Sequence, residues 1–240
     1  MKRFALVTGA SGGIGQEIAR QLAHDGWNLY LQYSSGENQI KALQKQIEAT
    51  GVESFSVQAD LSSSVGVEKL LQHLFSVEAV VFAHGTAQYG LFQEVKEEEM
   101  DLLWALHVKS PMMIIQRLVS KLQKGKAPSI VFISSIWGQT GAACEVVYST
   151  VKGAQIALVK SLAKEFAPSH IKVNAVAPGA VNTKMMSHFS SEEVNEIAED
   201  IPMGRLAEPA EISAVVGFLC SRASSYMTGQ VLAVNGGWYT

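Results

Sequence analysis

Seven short apolar runs, each separated from the next by a longer stretch, constrain this chain more than any other feature. The runs are Phe4–Thr8, Leu29–Tyr33, Ser54–Ala59, Ala79–Ala83, Ile130–Ser134, Val173–Val176 and Val231–Val234. The stretches between them carry helical spacing: Ile14–His24, stopped by Asp25-Gly26; Asn38–Ala49, closed by Gly51; a helix around Val67–Phe75; a long helix from about Glu97 to Lys121; one of about Glu145–Ala167; and one around Ala210–Ser221. Strand, helix, strand, repeated, joins parallel neighbours by crossovers that run back over the sheet. The expected fold class is therefore α/β: a doubly wound parallel seven-stranded sheet in three αβα layers. No linker, charge block or repeat divides the 240 residues, and 48% hydrophobic residues suffice to fill such a core. The chain reads as one domain, 1–240.

Composition removes several function classes. Net charge is −3, so no basic excess exists to neutralise phosphates, and nucleic acid is not an expected partner. No apolar run approaches the roughly 18 residues of a membrane span, so no membrane is expected. Met1-Lys2-Arg3 leads straight into an apolar strand without a signal-peptide pattern. Two isolated cysteines, Cys144 and Cys220, make no disulfide framework. The expected location is the cytoplasm. Six histidines show no ligand spacing, and no metal is expected.

Chemistry concentrates at the ends of the strands. The first strand runs into Thr8-Gly9-Ala10-Ser11-Gly12-Gly13-Ile14-Gly15 and then a helix. Such a turn offers close backbone approach and uncompensated N–H donors to a phosphate. Its spacing is G-x-x-x-G-x-G, not the G-x-G-x-x-G fingerprint, but its place on the first strand–helix turn favours a dinucleotide. Gly9, Ser11, Gly13, Ile14 and Gly15 are its contact candidates. The second strand ends Tyr33-Ser34 without the acid that holds a free ribose 2′-hydroxyl, which favours NADP(H) over NAD(H). Asp60, closing the third strand, reads either as an adenine contact or, with Ser62, as a helix N-cap. Residues 178–209 form a long polar connection with Met185, Met186, Phe189 and Met203 scattered through it, read as a substrate lid with short helices near Glu192–Glu199.

Ser135 follows the fifth strand, and Tyr148 and Lys152 lie four residues apart on one helix face. An ammonium about 4 Å from a phenol, at an effective dielectric of about 20, favours phenolate by roughly 4 kcal/mol. At about 1.4 kcal/mol per pH unit, this would bring Tyr148 from its ordinary value near 10 towards neutrality, where acid–base work is most effective. Ser135 would hold the substrate oxygen in line with the phenol.

Together these motifs resemble the short-chain dehydrogenase/reductase family. They are Thr8-Gly9 to Gly15, Ser135, Tyr148-x-x-x-Lys152, Asn174, Pro178-Gly179 with Thr183, and Val234-Asn235-Gly236-Gly237. The resemblance implies a Rossmann-like sheet, a nicotinamide cofactor and hydride transfer at a carbon bearing oxygen. It makes Tyr148 the proton donor and Lys152 the residue that binds the nicotinamide ribose and tunes it. Ser135 orients the carbonyl, and Thr183 touches the cofactor. Ala83 and Gly85 would line the adenosine side, where the family's Asn-Asn-Ala-Gly reads Phe82-Ala83-His84-Gly85. The family's helix asparagine, which holds a water leading from the lysine to solvent, aligns with His107. There the backbone carbonyl holds that water, or the imidazole relays the proton, or the histidine is a satisfied polar group.

Within the family the chain is most similar to 3-oxoacyl-(acyl-carrier-protein) reductases. Their usual arginines before strands five and six read Ser129 and Ser169, with Lys124, Lys126 and Lys172 nearby. The stretch from Ser135 to Glu145 resembles a subgroup, the reductases of the 5-aminopentanone modification on elongation factor P. A Glu145 carboxylate one turn before Tyr148 suits a substrate ending in an ammonium, and Trp137 would cover its methylenes or stack on the cation. Glu145 also reads as charge compensation at a helix N-terminus. Met185 completes the substrate candidates. The expected substrate is a ketone on a protein or carrier. The two long helices are apolar on several faces and so must bury more than one side; the resemblance implies that they form a homodimer face, with Gln230–Trp238 helping a homotetramer. The departures at Ala83, His84 and His107 motivate a rival class, a non-catalytic NADP-binding regulatory protein.

Overall fold

The computed structural model describes residues 2–187 and 189–240. Its strands are β1 (Phe4–Thr8), β2 (Asn28–Tyr33), β3 (Ser54–Gln58), β4 (Ala79–Phe82), β5 (Ser129–Ile133), β6 (Lys172–Pro178) and β7 (Val231–Val234). The helices are α1 (Gly13–His24), α2 (Glu37–Glu48), α3 (Ser64–Leu71), α4 (Glu97–Trp104), α5 (Ser110–Leu122), α6 (Trp137–Thr140), α7 (Val146–Phe166), α8 (Ser191–Asp200) and α9 (Pro209–Cys220). The seven strands form one sheet in the order β3-β2-β1-β4-β5-β6-β7. Every neighbouring pair is parallel. The expected doubly wound architecture is thus what the chain adopts.

Both faces of the sheet are covered, which is why its central strands are continuous apolar runs rather than alternating ones. Leu6 and Val7, neighbours on β1, point to opposite faces. Val7 joins Leu29, Leu31, Ile18, Leu22, Ile40 and Val216 beneath α1, α2 and α9. Leu6 joins Phe82, Phe132, Ile114, Leu118 and Val159 beneath α5 and α7. The strand order reverses between β1 and β4. The loops leaving the C-terminal ends of these strands therefore part, and a cleft opens at the switch point.

One expectation is corrected here. The long helix expected from Glu97 to Lys121 is interrupted by a π-helical turn over Ala105–Lys109 between α4 and α5. Ser110 N–H reaches back five residues to the Ala105 carbonyl. Pro111, one residue further on, has no N–H to give. Side chains take the carbonyls this leaves over: His84 Nε2 (2.8 Å) and Ser110 Oγ (3.0 Å) bond Leu106 O, and Gln155 Nε2 (2.8 Å) bonds His107 O. One side of each long apolar helix packs within the chain, as expected. Leu103, Ile114, Val151 and Val159 are buried within this chain, while Leu102, Trp104 and Met112 remain exposed.

The connection between β6 and α9 holds a short 3₁₀ turn, Lys184–Met186, and α8. A capping box starts α8: Ser190 Oγ accepts from Glu193 N–H, and Glu193 Oε2 accepts from Ser190 N–H. A bridge between Val181 and Ala207 holds the two ends of the connection together. Among the described residues, no helix is long and apolar enough to cross a membrane.

Candidate active site

A cavity of about 330 Å³ lies at the switch point. It brings together the turn from Gly12 to Gly15, Ala83–Ala87 after β4, Ser135 and Trp137 after β5, and Glu145, Tyr148 and Lys152 of the α7 entry. Pro178, Gly179, Thr183 and Met185 after β6 close it, with His107 from the π turn. Five sequence candidates lie off this cavity, at the glycine-loop and β2–β3 end: Gly9, Ser11, Tyr33, Ser34 and Asp60. Gly9 N–H is held by Gln32 Oε1 at 2.9 Å, and Ser11 O accepts from Gln16 Nε2. Asp60 Oδ1 accepts from Ser62 N–H and Oγ. The helix cap itself is neither Asp60 nor Ser62 but Ser63, whose Oγ accepts from Gly66 N–H.

The glycine turn is shaped for a close-lying group. Gly12, the N-cap of α1, provides no side-chain cap, so the first N–H groups of the helix face the cavity end without a side-chain acceptor. A Cβ at Gly13 would stand 2.8 Å from Thr183 Cγ2, so any larger residue would close the groove between them. Gln32, a polar residue of a buried strand, was missed by sequence reasoning. Its amide ties the loop to the sheet, donating to Ala59 O at 2.8 Å while it accepts from Gly9.

Tyr148 and Lys152 share the pocket as their spacing predicts, but the electrostatics differ from the expectation. Burial pushes the Tyr148 phenol well above its usual value, and the Glu145 charge adds to this; a hydrogen bond with Ser135 opposes it. Lys152 does not bring the phenol down. Its Nζ lies 5.4 Å from the Tyr148 ring centroid and donates to Ile133 O at 2.8 Å, and burial lowers its own pKa to about 7. Attraction between ammonium and phenolate favours ionisation, but desolvation penalises both charged forms and outweighs it here. The result is a phenol that stays protonated at neutral pH, the form a proton donor needs.

Ser135 Oγ also accepts from Trp137 N–H at 3.2 Å, so the hydroxyl is fixed at the start of α6. Glu145 immediately precedes α7, behind Cys144, whose φ of 61° is left-handed. Its carboxyl is hydrogen-bonded to Trp137, and half-burial raises its pKa. The Trp137 ring meets Trp238 edge-on at 5.1 Å. Trp238 also lines the cavity. Phe189 of the expected lid is a further wall, and so are Tyr89, Lys184 and Ile197, which sequence reasoning did not single out.

His107 stands where the family has its helix asparagine and His84 where its motif has an alanine, and each ring is tied to neighbouring backbone. His84 Nε2–H donates to Leu106 O, and its Nδ1 lies 2.7 Å from the Thr8 hydroxyl. Burial lowers its pKa to about 4, so the ring is neutral and Thr8 is the donor. His107 is buried, and its Nε2–H donates to Thr86 O at 2.8 Å. Burial first, and then the Lys152 charge, hold its pKa well below the usual range. The ring stands edge-on to Tyr148 with centroids 5.8 Å apart. Its Nδ1 is buried and has no hydrogen-bond partner among the described residues. Gly85, at φ 150°, makes this possible: a Cβ there would lie 2.1 Å from His107 Cε1.

Two positions considered for carrier docking, Ser129 and Lys172, turn inward. Ser129 is buried on β5. Lys172 donates to Leu219 O, Ser221 O and Ser224 Oγ at the end of α9.

Comparison with known proteins places this geometry. Residues 9–239 match the family model described as Enoyl-(Acyl carrier protein) reductase. An uncharacterized oxidoreductase of Bacillus subtilis, YmfI, is 47% identical over 241 residues, covering 100% of both chains. The 3-oxoacyl-[acyl-carrier-protein] reductase FabG of Staphylococcus epidermidis is 35% identical over 243 residues, again covering 100% of both. Among solved structures, the angucycline C-6 ketoreductase LanV with bound NADP is 29% identical, with a TM-score of 0.93 over 98% of this chain and 95% of that one. A Brucella melitensis protein described as a short-chain dehydrogenase/reductase is 29% identical, with a TM-score of 0.92 and both chains fully covered. By a family match along almost its whole length and by full-length relatives, this chain belongs to the short-chain dehydrogenase/reductase family of oxidoreductases.

Proposed function

We propose that the chain is an NADPH-dependent reductase that converts a ketone, attached to a protein or carrier, to a secondary alcohol. The observation that carries this reading is the meeting of Ser135, Tyr148 and Lys152 with the glycine turn in one cavity. The uncapped α1 N-terminus and the groove between Gly13 and Thr183 suit a dinucleotide's phosphates. Gly9, Ser11, Ile14, Gly15, Ala83, Gly85, Pro178, Gly179 and Lys152 would hold the rest. The β2 end, with Tyr33 and Ser34 and no acid, accommodates a 2′-phosphate. A reduced nicotinamide, when bound, supplies the hydride.

The chain's own part is the proton. Ser135 holds the carbonyl oxygen. Tyr148, kept protonated by burial, donates to the alkoxide as it forms. Lys152, when charged, stabilises the phenolate left behind. His107 flanks the phenol as a neutral ring and serves the return of the proton through its free Nδ1. The segment 178–209 acts as the lid, with Met185 and Phe189 over the substrate chain. Self-association through Leu102, Trp104 and Met112 completes the reading; sedimentation that shows only single chains at working concentration would contradict that part.

For the substrate we favour the 5-aminopentanone on elongation factor P. A half-buried carboxylate beside two tryptophans suits an alkylammonium and is out of place beside a plain acyl chain. The alternative, reduction of 3-oxoacyl carrier protein, is favoured by the carrier-protein reductases among the relatives. NADPH oxidation on each substrate, by wild type and by Glu145→Gln, separates them. Glu145→Gln should raise KM for the cationic ketone about tenfold or more, as befits a lost charged hydrogen bond, and leave an acetoacetyl thioester unaffected. Equal effects on both substrates would remove the argument for the cation.

A further inference from the structure

Gln155 lies one turn beyond Lys152 on the buried face of α7, among Val151 and Val159. A residue that only filled this space would be apolar like its neighbours. Gln155 instead buries an amide of which one end, Oε1, has no hydrogen-bond partner among the described residues. That arrangement is costly. The other end, Nε2, donates to the His107 carbonyl at 2.8 Å. Pro111 cannot serve that carbonyl, although a residue four positions on is its usual helical donor. The π turn that bears this carbonyl carries the His107 ring to its place edge-on to Tyr148.

We propose that Gln155 is a positioning residue for the proton-donating tyrosine: its amide takes the carbonyl that Pro111 leaves free, and so fixes the π turn and the His107 ring against the phenol. Gln155 touches neither cofactor nor substrate; it acts through His107. The titratable groups around it are Tyr148 and Lys152 on its own helix, His107 on the π turn, and His84 after β4. This inference rests on the reading of Tyr148 as proton donor.

The test uses the full-length protein and NADPH oxidation on an activated ketone. Gln155→Leu should lower kcat about tenfold, the rate equivalent of one lost hydrogen bond, while KM for NADPH and ketone stay within twofold. The pH dependence of kcat should shift as well, because the surroundings of the phenol change. In Pro111→Ala the helix regains an N–H that can reach His107 O, so Pro111→Ala/Gln155→Leu should recover most of the lost kcat. An unchanged kcat and pH profile in Gln155→Leu would overturn the proposal, as would a collapse of kcat and NADPH affinity together. If Gln155→Leu does not fold, Pro111→Ala is compared with Pro111→Ala/Gln155→Leu. Equal kcat supports the proposal, and a tenfold gap overturns it. The two readings fail separately: an active Tyr148→Phe removes the tyrosine assignment whatever Gln155 does, whereas an inactive Tyr148→Phe beside a fully active Gln155→Leu removes only this one.

Discussion

Lys152 is the residue on which two opposed electrostatic effects meet. Its charge is needed opposite the phenolate, yet burial lowers its pKa from 10.5 to about 7. Between those values the unfolded chain binds more protons than the folded one, so the contribution of Lys152 to stability rises with pH across that window. Below about pH 7 both states carry the charge, and the folded state bears the full cost of burying it. Lys152→Met should therefore be more stable than wild type at pH 6, with the advantage closing as pH rises towards 10. Denaturant midpoints measured across that range check this; a gap independent of pH would mean the ammonium is not desolvated. The spacing of Tyr148 and Lys152 was readable because helical geometry alone puts residues four apart on one face. The direction of the phenol's pKa was not. It depends on burial, to which α6, the loop after β4 and the π turn contribute, and no local pattern reports that sum.

At the level of elements, the strands and helices were legible in apolar periodicity, and the ends moved by a few residues at most places. The exception was the stretch from Glu97 to Lys121. Its apolar positions continue through Pro111, and the proline was the available signal for a break. Two of the three side chains that bond the spare carbonyls, His84 and Gln155, come from 22 and 48 residues away in sequence, beyond the reach of any local pattern. Gly85 shows how tightly this joint is built. Gly85→Ala would combine an unfavourable φ with a methyl group set against the His107 ring. Destabilisation of roughly 2–4 kcal/mol is expected, together with loss of turnover. Chemical denaturation measures the first and NADPH oxidation the second. A neutral Gly85→Ala would show that the ring has room to move and that its edge-on place beside Tyr148 is not enforced.

Taken whole, the molecule places its chemistry where the winding of the sheet reverses. The glycine turn after β1 and the residues after β4, β5 and β6 reach one cleft because all the strands are parallel and end on the same edge. The doubly wound architecture was readable from the run of elements, and the family resemblance rested on motifs at the strand ends. The cleft walls were less legible: Trp238 and Tyr89 arrive from distant turns, with nothing around them to announce the cavity. The central claim is that a buried, protonated Tyr148 delivers the proton in a site that also takes NADPH. Tyr148→Phe tests it most directly, with NADPH binding followed by fluorescence and turnover by NADPH oxidation on the same sample. Unchanged NADPH affinity and a fall in kcat of about 10²–10⁴-fold, the range for a lost general acid, are expected. Turnover close to wild type in a variant that still binds NADPH would contradict the claim.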